Sequence, residues 1–221
     1  MKLHIFCLST VMILLTSCAV EKQRHLPNLS PAPALEETSC SAAVFPQGKW
    51  QFIHAIDFSM KNGAGTAVIG VTSLSRNRID CALITIEGLT LFEAAYEEEK
   101  GLEIRRAVPP FDKPLFAEGL IRDLRTIFQP PTGGMQTGQI PGAITVCRYA
   151  DNMGRVIDVL PEADDCWQIN IYNSEMTLDR SITGRSCRNN GSAQVPEYLE
   201  LNSYGQTGYT LKMTLIRADK L

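Results

Sequence analysis

Apolar and polar residues alternate along the chain from Trp50 onward, as they do in strands with one buried face. In the stretch WQFIHAIDFSM (50–60), every second side chain is aromatic or large and apolar, apart from one histidine. Similar stretches follow at 66–74, 78–86, 89–99 and 102–108. Short turns separate them, and the first contains Asn62-Gly63, which accepts a positive φ easily. The first half is therefore predicted to be a meander of about five antiparallel strands.

The period changes from two to about 3.6 residues between 112 and 129. Here the large apolar side chains fall on one helical face: Phe116, Leu120, Leu124, Ile127 and Phe128. Pro114 suits the first turn of a helix, and Pro130-Pro131 would end it. We predict an amphipathic helix over 112–129, followed by a glycine-rich loop over 132–142.

Strand patterns return after the predicted loop, at 143–150, 154–160, 166–173, 176–182, 197–204 and 208–218. An antiparallel sheet of about ten strands must curl around something apolar, and the helix is the natural filler. The predicted fold class is mainly β with α (α+β). The expected architecture is a curved antiparallel sheet that forms an unclosed half-barrel, with the amphipathic helix in its concave face.

The N-terminus has the pattern of a targeting signal. After Lys2, the run Ile5–Leu15 is almost wholly apolar. It is too short to span a bilayer, which takes about 20 residues, and it has the length of a signal-peptide core. No other segment approaches the length of a spanning helix. We therefore predict a cleaved signal peptide over residues 1–17.

The signal ends in Leu15-Thr16-Ser17-Cys18, which resembles the lipobox of bacterial lipoproteins. The resemblance implies that the Cys18 thiol receives a diacylglycerol and that cleavage then makes Cys18 an acylated N-terminus. Ala19 in the next position favours sorting to the outer membrane. The alternative is an ordinary secretory signal with a cysteine at its end by chance. We expect a lipid anchor, palmitate-type acyl chains and a location at the outer membrane facing the periplasm.

Residues 18–48 are expected to form the lipidated N-terminus and a flexible tether, since PNLSPAPALEETS has neither a strand nor a helix period. Residues 49–221 are then a single β domain. The formal net charge of −3 gives no reason to expect nucleic acid as a partner.

Five cysteines remain in the predicted mature chain besides Cys18: Cys40, Cys81, Cys147, Cys166 and Cys187. The periplasm permits disulfides, and an odd number leaves at least one thiol free. The three in the second half are the expected source of a bridge, but their spacing does not identify the pair. Burial of all five as small apolar side chains is the alternative.

The segment 83–128 carries a family resemblance. It has a glycine turn, a strand with Phe92, Tyr96 and Glu97, a second turn at Gly101, and a proline loop that leads into the helix. This order, together with the last strand GYTLKMTLIRA, resembles a family of uncharacterised bacterial outer-membrane lipoproteins related to LolA and LolB. The resemblance implies an unclosed barrel whose hollow takes acyl chains, and a part in envelope biogenesis.

Catalytic and metal motifs are weak in this sequence. His54 lies on the apolar face of the first strand, where a core position is more usual than a catalytic one, and no G-x-S-x-G motif accompanies it. GAGTAV (63–68) lacks the third glycine of a dinucleotide site. We predict no catalytic residue, no metal site and no cofactor, and therefore no enzyme. A hydrolase that uses His54 is the weakest hypothesis.

The inner apolar face is the remaining candidate site. Its predicted ligand-binding residues are Phe52, Ile56, Phe58, Phe92, Tyr96, Leu120, Leu124, Tyr209, Leu211 and Met213. The leading hypothesis is a membrane-anchored protein that binds or transfers a lipid, an acyl chain or a lipoprotein. The second is a structural or assembly lipoprotein that binds a protein partner and has a dry core.

Overall fold

A computed structural model describes residues 24–32, 37–142, 144–151, 154–163, 166–190, 193–205 and 208–221. The predicted signal peptide and Cys18 lie outside these ranges. The described residues form two helices, α1 (Glu37–Val44) and α2 (Pro114–Phe128). The first five strands are β1 (Trp50–Met60), β2 (Gly65–Ser75), β3 (Arg78–Ile84), β4 (Thr90–Glu97) and β5 (Gly101–Ala107). The rest are β6 (Gly134–Ile140), β7 (Ile144–Ala150), β8 (Val156–Ala163), β9 (Cys166–Tyr172), β10 (Leu178–Asn190), β11 (Ala193–Ser203) and β12 (Tyr209–Lys220).

All twelve strands belong to one antiparallel sheet, in the order β5-β4-β3-β2-β1-β12-β11-β10-β9-β8-β7-β6. Two meanders are joined where β1 pairs with β12, from Trp50 opposite Lys220 to Met60 opposite Tyr209. The sheet is curved and does not close into a barrel. The predicted fold class is therefore confirmed.

Helix α2 connects the two edge strands, β5 and β6, and packs into the concave face. Its apolar stripe packs against the first meander, where Phe128 stacks on Phe52 of β1 and Phe116 meets the edge of Phe92 of β4. The helix ends at Phe128, and the two prolines that follow Gln129 cannot continue it. The predicted helix thus exists within a residue or two of its expected bounds.

The glycine-rich stretch 132–142 was predicted to be a loop, and this is wrong. Residues Gly134–Ile140 form β6, paired with β7 from Gly134 opposite Ala150 to Ile140 opposite Ile144. Glycine and glutamine have weak strand preferences, so the sequence carried little signal. Pairing with β7 supplies the stabilisation that these side chains lack.

The predicted tether is regular in part: Glu37–Val44 forms α1, and His25 and Ser30 make isolated β-bridges. Residues 24–32 lie on the convex face, where Leu29 packs beside Val146 and Leu160. Ser30 and Gln139 exchange two backbone hydrogen bonds of 2.9 Å, so this segment also pairs with the free side of β6. Isolated hydrogen bonds and one half-buried side chain, Leu29, hold the segment, and these leave no periodic pattern in a sequence.

A buried ion pair of the sheet also holds this N-terminal segment in place. Arg148 and Asp158 form two hydrogen bonds of 2.7 Å on the convex face, and Arg148 donates a third, of 2.9 Å, to the carbonyl of Pro27. Paired and hydrogen-bonded charges of this kind are tolerated in a protein interior.

Helix α1 follows on the concave side, where Cys40 and Phe45 are completely buried. Cys40 forms a disulfide with Cys147 of β7, and Cys166 forms a second with Cys187. Cys81 is free and buried, and burial raises the pKa of its thiol to about 12. The second half does supply a bridge, but the partner of Cys147 lies in the predicted tether. Among the helices of the described residues, none has the length and hydropathy to cross a membrane.

We expect the two disulfides to contribute unequally to stability. The Cys40–Cys147 bond spans 107 residues and the Cys166–Cys187 bond 21, so the first restricts the unfolded chain more. Replacing Cys40 and Cys147 with Ala should lower the free energy of unfolding by about 1.5 kcal/mol more than replacing Cys166 and Cys187. Urea denaturation of the two double variants measures this difference. Equal losses would contradict it.

Candidate functional site

The centre of the concave face is filled by side chains. Phe52, Phe128 and the ring of His54 lie together under the C-terminal end of α2, with ring centroids 5.1 to 6.3 Å apart. The void that remains there is about 20 Å³, enough for about one water molecule. This part of the inner face is therefore core.

A much larger cleft of about 560 Å³ runs along one flank of α2. One wall is the flank of the helix, and the loop Gln129–Thr132 extends it. Tyr96 and Leu102 of the first meander form another wall, and the ends of β8, β9 and β10 form the third. Its apolar lining is Tyr96, Leu102, Ile121, Ile157, Ile171 and Tyr172. Its charged lining is Glu118, Arg122, Arg125, Asp151, Arg155, Asp179 and Arg180.

A buried polar cluster closes the inner end of this cleft and ties α2 to the sheet. Asp123 of α2 is only 4 % exposed, and the Tyr209 hydroxyl of β12 donates a hydrogen bond to its carboxylate. The Arg180 Nε of β10 lies 3.7 Å from the other carboxylate oxygen. Burial raises the pKa of Asp123, while the Tyr209 hydrogen bond and the charges of Arg180 and Arg122 act in the opposite direction. Burial and the neighbouring Asp123 raise the pKa of Tyr209 as well.

The arginines of the cleft differ in their surroundings. Arg155 forms an ion pair of 2.7 Å with Asp151 at the β7–β8 turn. The Arg125 guanidinium lies 4.8 Å from the centre of the Tyr96 ring and donates to the side chain of Gln129. Arg125 therefore bridges α2 and β4 across the cleft by a cation–π contact.

Nine of the ten predicted ligand-binding residues pack in the main apolar cluster, and the tenth, Phe58, lies beside the ring of Tyr209. Phe52, Phe92, Leu124 and Met213 are buried in the main core, and Phe52 also lines the small void. Ile56, Phe58, Tyr96, Leu120, Tyr209 and Leu211 are half-buried. Tyr96 is the member of the set that lines the large cleft, and Tyr209 reaches the cluster at its inner end.

Several residues of the cleft were not predicted. Ile157 and Ile171 lie in stretches with a strand pattern, and their positions could have been identified from the alternation alone. Arg122, Arg155 and Arg180 carry no comparable signal, because exposed and site-lining arginines look alike in a sequence. Only the order of the strands reveals that β8–β10 face the helix across a gap.

His54 belongs to the core. It is 2 % exposed, between Phe52 and Phe128, and burial lowers its pKa to about 4. A neutral, enclosed imidazole of this kind is typical of a structural histidine.

We therefore expect His54 to make the fold sensitive to acid. The unfolded chain takes up a proton at His54 near pH 6.5 and the folded chain only near pH 4, so stability falls as the pH drops through this window. Between pH 8 and pH 5 the loss should be about 2 kcal/mol. Denaturation curves of the wild type and of His54→Leu at both pH values test this. An equal pH dependence in the two proteins would contradict it.

Comparison with known proteins identifies the fold. No protein-family model matches the chain, and no curated protein is significantly similar to it in sequence. A crystal structure of a LolA superfamily protein from Nitrosomonas europaea superimposes with a TM-score of 0.57. The match covers 85 % of this chain and 94 % of the other, at 10 % sequence identity.

Two further structures match less well. A candidate outer membrane lipoprotein-sorting protein domain from Vibrio parahaemolyticus has a TM-score of 0.48 and 9 % identity, over 82 % of this chain and 89 % of that one. A DUF1329 family protein from Desulfovibrio piger has a TM-score of 0.46 and 8 % identity, over 83 % and 92 %. The curved, open sheet with a helix in its concave face is a LolA-like fold.

Proposed function

We propose that this protein binds an amphiphile with at least one acyl chain in the cleft beside α2, and that it does so as a lipid-anchored protein of the bacterial envelope. One observation carries the proposal: the cleft of about 560 Å³ between α2 and the sheet has an apolar floor and a charged rim. Its volume lies within the range of about 300–1,000 Å³ that ligand sites usually have. The LolA-like fold supports the same class of function, since the resemblance implies a hollow for acyl chains.

The binding mechanism is passive. Burial of a chain against Ile121, Ile157 and Ile171 contributes about 25 cal/mol for each Å² of apolar surface removed from water. The charged lining holds the polar end of the ligand. Because α2 forms one wall of the cleft, a small displacement of the helix would widen or narrow the site, and ligand release would follow. No covalent step is involved.

We expect a bulky residue in the cleft to block uptake. Thr126 lines the cleft on the half-buried flank of α2, so Thr126→Trp should fill it and weaken binding of a fluorescent fatty acid at least about tenfold. Leu115→Trp is the matched control on the same helix, since Leu115 is 82 % exposed and lies outside the cleft. Fluorescence titration, with native mass spectrometry for lipid retained through purification, measures both.

A clean apo mass and no saturable uptake by the wild type would remove this proposal. That result would favour the second candidate, a structural or assembly lipoprotein. One observation supports this alternative: β5 forms an edge of the sheet and carries Ile104, which is 46 % exposed. An edge strand of this kind can pair with a strand of a partner protein.

The membrane anchor of the proposal is Cys18, with sorting to the outer membrane. Five residues, 19–23, separate Cys18 from Arg24, and they can span at most about 20 Å. The carbonyl of Arg24 accepts a hydrogen bond of 2.8 Å from the amide of Leu178, which precedes the cleft residue Asp179. An acyl anchor on Cys18 would therefore hold this end of the cleft close to the bilayer.

Replacing Cys18 with Ser should release the protein from membranes, because the thiol that accepts the lipid is gone. Cys7→Ser is the matched control, since it removes another thiol from the same leader. Fractionation shows the distribution, and the intact mass of the wild type shows the acyl chains. Wild-type protein without added acyl mass, or equal membrane association of Cys18→Ser, would contradict the anchor and leave the cleft proposal untouched.

A further inference from the structure

Arg180 is an unusual residue of the cleft because its charge is buried and poorly satisfied. The residue is 9 % exposed and lines the cleft beside Asp123. Its Nε is buried without a hydrogen-bond partner among the described residues, and so is the Asp123 Oδ1 that lies 3.7 Å away. The two groups attract each other by charge, but no hydrogen bond joins them at this distance.

A guanidinium has five N–H donors, and leaving such donors unpaired in a protein interior is costly. In the part of the chain that the structure describes, the Arg180 side chain makes an ion pair with Asp123 and no hydrogen bond. Acceptor oxygens from outside the protein would complete its coordination. Phosphate and carboxylate oxygens match the planar fork of an arginine best.

Arg122 stands at the same point of the cleft. It projects from the turn of α2 that carries Asp123, and its charge and that of Arg180 both act on Asp123 and on Tyr209. No carboxylate lies within 4.0 Å of the Arg122 guanidinium among the described residues, whereas Arg155 is paired with Asp151. The lining carboxylates Glu118 and Asp179 are likewise without an ion pair there, so they limit where an anion can lie.

The apolar lining begins next to these two arginines. Ile121 precedes Arg122 on α2, and Ile171 lies on β9, the neighbour of the strand that carries Arg180. A ligand with its acid group at the arginines would therefore have its chain against the isoleucines. A neutral or cationic head group would leave the Arg180 donors unpaired.

We infer that the cleft selects an anionic amphiphile, whose phosphate or carboxylate head accepts hydrogen bonds from Arg180 and Arg122 while its chain lies on Ile121, Ile157 and Ile171. This inference rests on the proposed function, since it names the chemical class of ligand for the same cleft. Lipids with an acidic head and free fatty acids share this chemistry.

The test compares head groups on one chain length. The full chain, purified in a neutral maltoside detergent, is titrated with dodecyl phosphate, dodecanoate, dodecyltrimethylammonium or inorganic phosphate, and adducts are counted by native mass spectrometry. We expect the two anionic amphiphiles to bind at least about tenfold more tightly than the cation. Inorganic phosphate alone should bind weakly, because it lacks the chain.

Arg122→Gln should reduce this preference about tenfold, since it removes an exposed guanidinium without disturbing the core. Arg180→Lys keeps the charge beside Asp123 but loses the planar fork, so it should reduce the preference as well. Arg217→Gln is the control, because Arg217 is 67 % exposed and pairs with Asp219 away from the cleft.

Each outcome separates the two proposals. Equal binding of anionic and cationic amphiphiles would overturn the inference and leave the proposed function standing, whereas binding of neither would overturn both. If inorganic phosphate binds as tightly as dodecyl phosphate, the cleft is a simple anion site to which the alkyl chain adds no affinity, and the inference is overturned. A preference that survives in Arg122→Gln and Arg180→Lys, or that Arg217→Gln also lowers, would overturn the assignment to these arginines.

Discussion

The pairing of β1 with β12 is the constraint on which the rest of the structure depends. It joins residues from the start and the end of the domain in one ladder, from Trp50 opposite Lys220 to Met60 opposite Tyr209. Without it, the two meanders would be separate sheets, and β1 and β12 would each be an unpaired edge strand. With it, the edge strands are β5 and β6, and the segment between them, α2, must cross the concave face.

The position of α2 then explains why the same face is both core and site. The helix packs tightly where Phe128 meets Phe52 and where Phe116 meets Phe92, and it leaves a cleft where the sheet curves away on the side of β8–β10. The polar cluster of Asp123, Tyr209 and Arg180 lies at the border between the two regions. Burying these groups is costly for the fold. An anionic ligand at the cleft would offset part of that cost by supplying acceptors.

The N-terminal segment adds a second constraint from the outside of the sheet. Residues 24–32 cover a small apolar cluster on the convex face, and Cys40 then fastens α1 on the concave face. The chain thus reaches both faces of the sheet before β1 begins. Only five residues would then separate a lipid anchor on Cys18 from Arg24. The cleft would therefore lie close to the membrane.

The local patterns of the sequence determined much of the fold. Alternation identified most strands, the change of period identified α2, and the odd cysteine count required a free thiol, which is Cys81. The sequence did not predict β6, the packing of residues 24–32 on the sheet or the disulfide partner of Cys147. None of these produces a periodic pattern of apolar residues. The sequence predicted a set of inner-face residues but could not separate filled core from open cleft. Only the tertiary structure decided that, because a cleft is a gap between elements distant in the chain, and its size depends on how far the curved sheet stands from the helix.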